Sequence, residues 1–367
     1  LSKELKNYSN DSIASRKWPW DIQNLSLNKK YLKYIPDPRN RKIVLFFFQQ
    51  FEEFVFPQLD KLRTSIIHND TNEWNILLKK NKELAIIDFG DLAKTQLVNE
   101  VAIAMVYASY SNENPLENAS IILKSYNKVI KLTNTEISLI YYLMASKLCI
   151  SVCNSAFSRA KNPKNKYALI SEKKAWNMLY FLVRTSPDHV ENIFRKTLNK
   201  KKKKSKKVSK YLKDRNSILS QIFSVSYKNP IIFKRSAFQY MFDNKGNAFL
   251  DAYNNIPLVG HAHPKVNYAI SRQIKKLNTN TRYIYDKLFE YGNRLLNKFP
   301  KKLNKIYFVN SGSEASDLAI KIALSHSKNK KIMVVENGYH GHTQRGTDIS
   351  HYKYGNKKGQ GIKDYIE

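Results

Sequence analysis

The chain has 367 residues, of which 42% are hydrophobic and 12% aromatic, and its formal net charge is +33 at pH 7. This composition is typical of a folded protein, and the length is enough for two ordinary domains. Its apolar runs are far shorter than the ~20 residues of a membrane span, and no secretory signal is visible. Because the sequence begins at Leu1 and ends at Glu367 in mid-pattern, we expect a fragment of a longer protein.

The positive charge by itself would suggest a nucleic acid or another anionic partner. However, lysine, asparagine, isoleucine and tyrosine are abundant throughout, as an AT-rich genome would produce, and this favours an ordinary solvated surface. One block stands out, "NKKKKKSKK" at 199–207. Like charges repel, so the block predicts a linker, which we place at 199–211. No recognition fold or aromatic platform lies beside it, and a nucleic-acid partner is disfavoured.

Before the linker, the apolar pattern is mostly helical. It predicts helices over 41–63, interrupted at Pro57, and over 92–111. A third helix is predicted over 134–160, and its apolar residues fall on several faces, so it should be buried. Two short strands are predicted in between, in "NILLKK" and "LAIIDF", and the second of them should be a buried strand.

The chain has two cysteines, Cys149 and Cys153, and both fall in the long apolar helix. A spacing of four residues puts them on one helix face, which favours core packing over a disulfide framework. No further metal ligands lie nearby in sequence. Unpaired cysteines fit a reducing, cytoplasmic setting.

The segment "HNDTNEWN" is the strongest candidate for chemistry in this half. Asp70 and Asn75 are five residues apart in a turn, His68 precedes Asp70 by two, and Asp88 ends the second strand. A carboxylate that can accept a proton, together with an amide and a second carboxylate as oxygen ligands, is what phosphoryl transfer from Mg-ATP requires. The alternative is that these residues only cap turns and a helix. The combined pattern H-x-D-x-x-x-x-N, hairpin and D-F-G-D favours chemistry.

Residues from about Trp18 to Arg195 resemble the C-terminal lobe of the aminoglycoside phosphotransferase and choline kinase family. The segments "IIHNDTNEWNIL", "IIDFGD" and "NEVAIAMVYA" are similar to its hydroxylysine-kinase-like branch. The resemblance implies an α+β protein-kinase-like C-lobe, mostly helical, over 1–198. It also implies ATP as phosphate donor and a small amino alcohol as acceptor.

The same resemblance implies roles for individual residues. The catalytic loop would contain His68 as a structural member and Asp70 as the base, and Asn75 and Asp88 would hold Mg²⁺. Asp91 and Glu100 would brace the site. The family's N-terminal lobe, with its lysine on the ATP phosphates, is not recognisable here, so we expect this half-kinase to bind ATP poorly.

After the linker, the pattern changes to strands and then to alternating strands and helices. Residues 237–253 alternate about a turn at 244–246, which predicts a hairpin. Short strands are predicted at 305–310 and 331–337, between helices. This alternation predicts an α/β domain with a mainly parallel sheet over 212–367.

The segment "NSGSEASD" at 310–317 predicts a strand, a tight turn and a helix N-terminus, where backbone amides favour an anion. A plain serine N-cap is the alternative. In "ENGYHGHT", at 336–343, a tyrosine could lie against a planar ring. His261 and His263 could suggest a metal, but without a third ligand nearby turn and packing roles are favoured.

From about Leu212 onward the sequence resembles class III pyridoxal-phosphate-dependent aminotransferases. The matching segments are "NSGSEASDLAIKIA", "YHGHT" and "LNTNTRYIYD", the last similar to the branch of ethanolamine-phosphate and phosphohydroxylysine phospho-lyases. The resemblance implies a partial α/β PLP-dependent transferase fold type I with pyridoxal phosphate as cofactor. Residues implied to bind the cofactor are Ser311, Gly312, Ser313, Tyr339 and His340, and those implied to face the substrate are Tyr253 and Asn254.

Together the two resemblances imply a fragment of a bifunctional enzyme. The first part would phosphorylate an amino alcohol and the second would act on an amine or its phosphate ester; transamination and phosphate elimination both stay open. The chain stops before the family's Schiff-base lysine, so we expect it to be inactive alone, and the parent is expected to be a homodimer. The alternative is a catalytically inactive remnant or a basic binding module.

Overall fold

The computed structural model of the chain describes residues 1–80, 83–111, 114–164, 172–201, 207–220, 222–223, 225–254, 258–356, 359, 361–364 and 366. Its contacts divide the chain into two units, Leu1–Leu277 and Asn278–Glu367. The division falls beyond the predicted linker at 199–211, of which residues 202–206 lie outside the described part of the chain. The first unit therefore takes in the beginning of the segment predicted as the second domain.

Most of the regular secondary structure described in both units is helical. They are α1 Asp11–Ser15, α2 Pro38–Gln50, α3 Val98–Ala108, α4 Pro115–Val129, α5 Asn134–Lys161, α6 Glu172–Val183, α7 Pro187–Thr197, α8 Val208–Asn216, α9 Pro264–Lys276, α10 Asp286–Leu296, α11 Gly312–Ser327, α12 Gln344–Asp348 and α13 His351–Tyr354. The strands are β1 Thr64–Ile67, β2 Ile76–Leu78, β3 Leu84–Ile86, β4 Ala93–Gln96, β5 Phe233–Ala237, β6 Tyr240–Asp243 and β7 Ala248–Leu250.

Helix α5 is the centre of the first unit. It begins with a capping box, in which the Thr133 hydroxyl accepts from the Glu136 amide at 3.2 Å and the Glu136 carboxylate accepts from the Thr133 amide at 2.7 Å. Most of its residues are buried, as predicted. By length and composition the helix could cross a membrane, but 89% of its most apolar window is buried inside the protein, which is the pattern of a core helix.

The two cysteines confirm the prediction of core packing. Cys149 and Cys153 are free thiols on α5, and both are fully buried in the hydrophobic cluster of the first unit. Burial raises the pKa of Cys153 to about 12, and it also raises the pKa of Cys149. Neither thiol is therefore placed or charged for chemistry.

The predicted helix over 41–63 is confirmed, although its geometry changes along its length. Helix α2 continues as a π-helical turn over Phe51–Val55 and a 3-10 segment over Phe56–Lys61. Pro57 lies in the first turn of that 3-10 segment, where a missing amide hydrogen costs little. The interruption predicted at Pro57 is thus a change of helix type.

The helix predicted over 92–111 is wrong at its beginning. Residues Ala93–Gln96 form β4, which pairs antiparallel with β1, and α3 begins only at Val98. The partner strand lies about thirty residues earlier, so a local apolar period could not show it. This strand pair matters because β1 leads directly into His68.

The hairpin formed by β2 and β3 is confirmed, with Ile76 opposite Ile86. Residues 81–82 of its turn lie outside the described residues. The expectation that its second strand is buried is wrong. Leu78 and Leu84 are each 69% exposed, and no residue of β2 or β3 is buried.

The hairpin predicted over 237–253 is also confirmed, as β6 and β7 of a three-stranded antiparallel sheet ordered β5-β6-β7. Asp243 shapes its turn, since its carboxylate accepts from the amides of Lys245 and Asn247 at 2.9 and 2.8 Å. Gly246 has a φ of +91°, which favours glycine.

This sheet belongs to the core of the first unit. Phe242 is buried in the same hydrophobic cluster as α2 and α5, and the ring of Phe238 lies 5.4 Å from that of Phe46. Arg235 donates to the Tyr142 hydroxyl at 2.8 Å. The residues after the linker therefore complete the packing of the helices before it.

The parallel sheet predicted for the second domain is not formed in the described residues. The segments 305–310 and 331–337 carry no strand there, and an isolated parallel bridge joins Ile332 to Ile366. An extended segment becomes a strand only when a neighbour takes up its backbone hydrogen bonds along its length. Among the described residues the segment 331–337 has only the single bridge at Ile332, and 305–310 has none.

We predict that Phe242→Ala destabilises the first unit by about 3–5 kcal/mol, because it opens a cavity in a core shared by helices and sheet. The matched control is Phe233→Ala on the same sheet. The Phe233 side chain is 39% exposed, so its loss should lower the free energy of unfolding far less. Denaturant unfolding of the 367-residue chain, followed by far-UV circular dichroism, measures both. Equal losses from the two substitutions would contradict the shared core.

Candidate functional site

The loop after β1 is fixed at its beginning by a buried carboxylate. His68 and Asn69 are both fully buried, and Asn69 adopts a left-handed conformation with φ +66°. The Glu100 carboxylate, from α3, accepts from the His68 amide at 2.8 Å and from the Asn69 amide at 3.3 Å. Burial raises the pKa of Glu100, and the Asn69 amide opposes this. Glu100 thus braces the loop, as expected.

Asp70 is the best-held carboxylate of the loop. The Tyr107 hydroxyl donates to its Oδ1 at 2.8 Å, and the side-chain amide of Asn72 donates to its Oδ2 at 2.8 Å. The Asn75 amide nitrogen donates to the same Oδ2 at 3.2 Å and to the Asp70 carbonyl at 2.9 Å. A carboxylate held by donors on both oxygens has a fixed direction.

Asp88 lies beside this loop because the preceding residue, Ile87, is bonded to it at two points. His68 Nε2 donates to the Ile87 carbonyl at 2.9 Å, and the Ile87 amide donates to the Asn75 carbonyl at 3.0 Å. Asp88 itself is exposed and has a left-handed backbone with φ +62°. The structure thus brings His68, Asp70 and Asn75 together and places Asp88 next to them.

The pattern D-F-G-D contributes two more contacts. The His68 and Phe89 rings lie 5.1 Å apart, and the Trp18 indole donates to Asp91 Oδ1 at 2.9 Å. A side chain at Gly90 would come within 3.3 Å of Asp88 Oδ1, so glycine leaves that carboxylate room to turn. Burial raises the pKa of Asp91, and the charge of Lys147 opposes this.

The sequence did not single out three residues that touch Asp70. One is Asn72, in the loop itself. The others are Tyr107, from α3, and Lys147, from α5, whose Nζ lies 3.6 Å from Asp70 Oδ1. Lys147 is completely buried. The available signal was a lone lysine inside the apolar run of a helix predicted to be buried, since lysines are rarely buried without a partner.

The oxygen atoms of this loop suit a hard cation. The Asn75 nitrogen makes the contacts to Asp70, so its side-chain oxygen is the atom that could bind Mg²⁺, beside the Asp88 carboxylate. Two protein oxygens suffice when substrate phosphates and water supply the rest. Among the described residues no group of three or more His, Cys, Asp or Glu could hold a metal, so a closed site of transition-metal type is not found there.

In the second unit the two predicted cofactor segments meet. The Ser313 hydroxyl lies 3.1 Å from His342 Nδ1 and accepts from the His342 amide at 3.2 Å. Gly341 packs so closely that a Cβ there would approach Ser313 to 2.8 Å. The turn of "YHGHT" is thereby held against the N-terminus of α11.

The N-terminus of α11 fits a phosphate. Ser311 caps the helix by accepting from the Glu314 amide at 3.2 Å, so the plain-cap interpretation holds for this residue. Nothing lies within 4 Å of the position that a Cβ of Gly312 would take, which leaves open space at the helix terminus. Helix dipole, amides and space together suit the phosphate of pyridoxal phosphate.

Tyr339 and His340 follow on this turn. The Tyr339 side chain is 56% exposed and meets Tyr352 edge-on at 6.4 Å between ring centroids. The His340 amide donates to the Ser350 hydroxyl at 2.8 Å. One ring face of Tyr339 is therefore available to another planar group, while His340 is held by its backbone.

The two residues predicted to face the substrate lie in the first unit. Tyr253 is 84% exposed, and the amides of Tyr253 and Asn254 donate to Asp251 Oδ1 at 3.1 and 2.9 Å. Asp251 Oδ2 contacts His261 Nε2 at 2.7 Å. This contact gives His261 the turn role that the sequence favoured over metal binding.

Comparison with known families assigns each half. Residues 19–125 match the phosphotransferase enzyme family, and residues 222–363 match the class III aminotransferases. The chain therefore has a kinase-like phosphotransferase region followed by a class III aminotransferase region, as the sequence predicted. Pyridoxal phosphate is the cofactor that the second family implies.

Individual relatives agree with this division. Hydroxylysine kinase from Mus musculus is 30% identical over 210 residues, which are 54% of this chain and 56% of that protein. An alanine–glyoxylate aminotransferase 2-like protein from Drosophila melanogaster is 37% identical over 156 residues, 42% of this chain and 32% of that protein. Ethanolamine-phosphate phospho-lyase homolog 1 from Caenorhabditis elegans is 38% identical over 144 residues, 39% of this chain and 31% of that protein.

Among solved structures, a phospholyase from Arthrobacter in complex with phosphoethanolamine aligns with a TM-score of 0.41 and 32% identity, over 43% of this chain and 36% of that one. A transaminase from the marine bacterium Virgibacillus aligns with a TM-score of 0.38 and 21% identity, over 43% of this chain and 39% of that one. The chain thus spans about a third to just over half of the proteins it matches.

We predict that Glu100→Ala destabilises the chain by more than Glu100→Gln does, because Ala leaves two buried amides without an acceptor, at about 1–3 kcal/mol each. The raised pKa gives a second expectation. Since folding raises this pKa, the contribution of Glu100 to stability is full below its unfolded pKa of about 4.3 and is lost as pH rises through the folded pKa.

The measurement is thermal unfolding of wild type and Glu100→Gln between pH 4 and pH 7. The melting temperature of the variant should improve relative to wild type as pH rises, because glutamine has no proton to lose. A difference that stays constant over this range would contradict a raised pKa for Glu100.

Proposed function

We propose that this chain, with its phosphotransferase region followed by a class III aminotransferase region, is part of a bifunctional enzyme. Its first region would transfer a phosphoryl group from Mg-ATP to the hydroxyl of a small amino alcohol. Its second region would use pyridoxal phosphate to act on the amine, or on the phosphate ester that the first region makes. The observation that carries the proposal is the fixed Asp70 carboxylate beside Asn75 and Asp88.

In the first region each residue would have a separate task. The acceptor hydroxyl would give its proton to Asp70 as its oxygen bonds to the γ-phosphorus, and ADP would leave. The Asn75 oxygen and the Asp88 carboxylate would bind the Mg²⁺ that neutralises the phosphates. Tyr107 and Asn72 would hold the Asp70 carboxylate toward the acceptor, because positioning is most of what a phosphotransferase supplies.

In the second region the α11 N-terminus and Ser313 would bind the cofactor phosphate, and Tyr339 would lie against its ring. Bound pyridoxal phosphate supplies an electron sink for bonds next to an amine. Phosphate leaves far more readily than hydroxide, so a kinase for an amino alcohol followed by a phospho-lyase makes a chemically consistent sequence. We place this enzyme in the cytoplasm, as a homodimer.

The relatives support this choice of substrate. One is named a hydroxylysine kinase and another an ethanolamine-phosphate phospho-lyase homolog. The first name contains an amino alcohol and the second contains the phosphate ester of another amino alcohol. Another relative is named for alanine–glyoxylate aminotransferase 2, so amino transfer is the competing outcome for the second region.

We predict that, in the complete bifunctional enzyme, Asp70→Asn lowers the rate of ADP formation from Mg-ATP and an amino alcohol by about 10²–10⁴-fold, because it removes the general base. Hydroxylysine and ethanolamine are the acceptors to test. The matched control is Asp60→Asn, an exposed carboxylate away from the loop, which should keep the wild-type rate. An Asp70→Asn protein as active as wild type would sink the assignment of the base.

We also predict that the chain binds pyridoxal phosphate and that Gly312→Val weakens this binding about tenfold, because the side chain fills the open space at the helix terminus. Ala319→Val, at an exposed position of the same helix, is the control. Titration followed by quenching of protein fluorescence gives the dissociation constants and needs no turnover. Equal affinities for Gly312→Val and wild type would place the phosphate elsewhere.

A further inference from the structure

Lys147 is a cation enclosed in the first unit. Its side chain is 0% exposed, and it lies in the middle of the long, mostly buried helix α5. Its Nζ donates to the Asn69 carbonyl at 3.2 Å and lies 3.6 Å from Asp70 Oδ1. The rings of Trp20 and Tyr107 lie 5.4 and 5.9 Å from the same atom.

An enclosed ammonium group is retained only where charges and dipoles compensate its lost hydration. The compensation here comes from several elements at once. Asp70 supplies a carboxylate from the loop, and Asp91 supplies one from the 3-10 segment after β3. Asp21, which is 1% exposed, faces the same cation from the N-terminal part of the unit.

The direction of two pKa shifts agrees with this arrangement. Burial raises the pKa of Asp21, and the charge of Lys147 acts against that rise. The same pair of opposing effects acts on Asp91. Lys147 is therefore the positive centre of a cluster of carboxylates at the base of the loop.

We propose that Lys147 is the positioning residue of the phosphotransferase site. It ties the Asn69 carbonyl and the Asp70 carboxylate to helix α5, and its charge offsets the repulsion of Asp70 by its acidic neighbours. This inference rests on the proposed function for its catalytic meaning, but the tie between Lys147 and Asp70 can be tested without turnover.

The alternative is that Lys147 fills space in the core and that its charge is incidental. The two cases differ in what happens when Asp70 loses its charge. If the charge of Lys147 is incidental, removing the Asp70 carboxylate from an acidic cluster should relieve repulsion and stabilise the fold. If Lys147 depends on Asp70, the same change leaves an enclosed cation without its carboxylate partner and destabilises the fold.

The test is a double-mutant cycle on the 367-residue chain, with melting temperatures measured for wild type, Lys147→Met, Asp70→Asn and the double variant. We expect Asp70→Asn to lower the melting temperature and Lys147→Met to restore about 2–4 °C of the loss in that background. Lys161→Met makes the same chemical change at the exposed end of α5 and should have no effect in either background.

A Lys147→Met change that lowers the melting temperature equally in both backgrounds would overturn the proposal, and so would a stabilising Asp70→Asn change. If Lys147→Met alone does not fold, the comparison of Asp70→Asn with the double variant still shows whether Lys147→Met raises or lowers the melting temperature when Asp70 is uncharged. Lys147→Leu repeats that comparison with a second apolar side chain.

Turnover, measured in the longer enzyme of which the proposed function makes this chain a part, supplies the catalytic half of the test. Lys147→Met should lower kcat at least tenfold while the KM for Mg-ATP changes less than about threefold, because the base is misaligned and the nucleotide contacts are kept. Lys147→Arg should recover part of the rate. If wild type transfers no phosphate, the proposed function fails, whereas the unfolding cycle still reports on Lys147 and Asp70.

Discussion

The first unit depends on how the loop after β1 is attached to two helices. Glu100 on α3 accepts the amides of His68 and Asn69, and Lys147 on α5 binds the carbonyl of Asn69. The backbone of Asn69 is thus held from both sides by buried side chains. Such contacts are costly to form and costly to break, so they fix one conformation rather than simply adding stability. The direction of Asp70 follows from that attachment.

Helix α5 connects this loop to the residues beyond the linker. Lys147 reaches the loop, and one and a half turns earlier Tyr142 accepts from Arg235 at 2.8 Å. Burial raises the pKa of Tyr142 to about 12, against the effect of Arg235, so the group that meets the guanidinium is a neutral phenol. The beginning of the aminotransferase region therefore packs on the helix that also supports the phosphotransferase loop. Ala237 and Phe242, at the beginning of the aminotransferase region, thus share a hydrophobic core with the helices before the linker.

Much of this could be predicted from sequence wherever the signal is local. The spacing of His68, Asp70 and Asn75, the long buried helix and the hairpin at β6 and β7 all depend on residues close to one another in the chain. Strand β4 could not be predicted, because its partner β1 is remote, nor could the ion pair of Lys147 with Asp70, which are 77 residues apart. The segments 305–310 and 331–337 have a strand-like apolar pattern but form no strand in the described residues. Apart from the single bridge between Ile332 and Ile366, no described segment pairs with them.

The net charge of the chain is positive, but the residues around the loop after β1 are mainly acidic. Lysine and arginine number 63 against 30 aspartate and glutamate, yet the side chains that surround the loop are acidic. The buried Lys147 faces Asp21, Asp70 and Asp91, and Glu100 binds the amides of the same loop. The residues around the loop are therefore mainly acidic, although the protein as a whole is electropositive. A basic exterior raises the local concentration of polyanions such as nucleotides, whereas an acidic interior holds divalent cations and protons. A phosphotransferase needs both, since its nucleotide arrives as an anion and reacts as a magnesium complex. The excess of lysine is thus compatible with a small-molecule enzyme and requires no nucleic-acid partner.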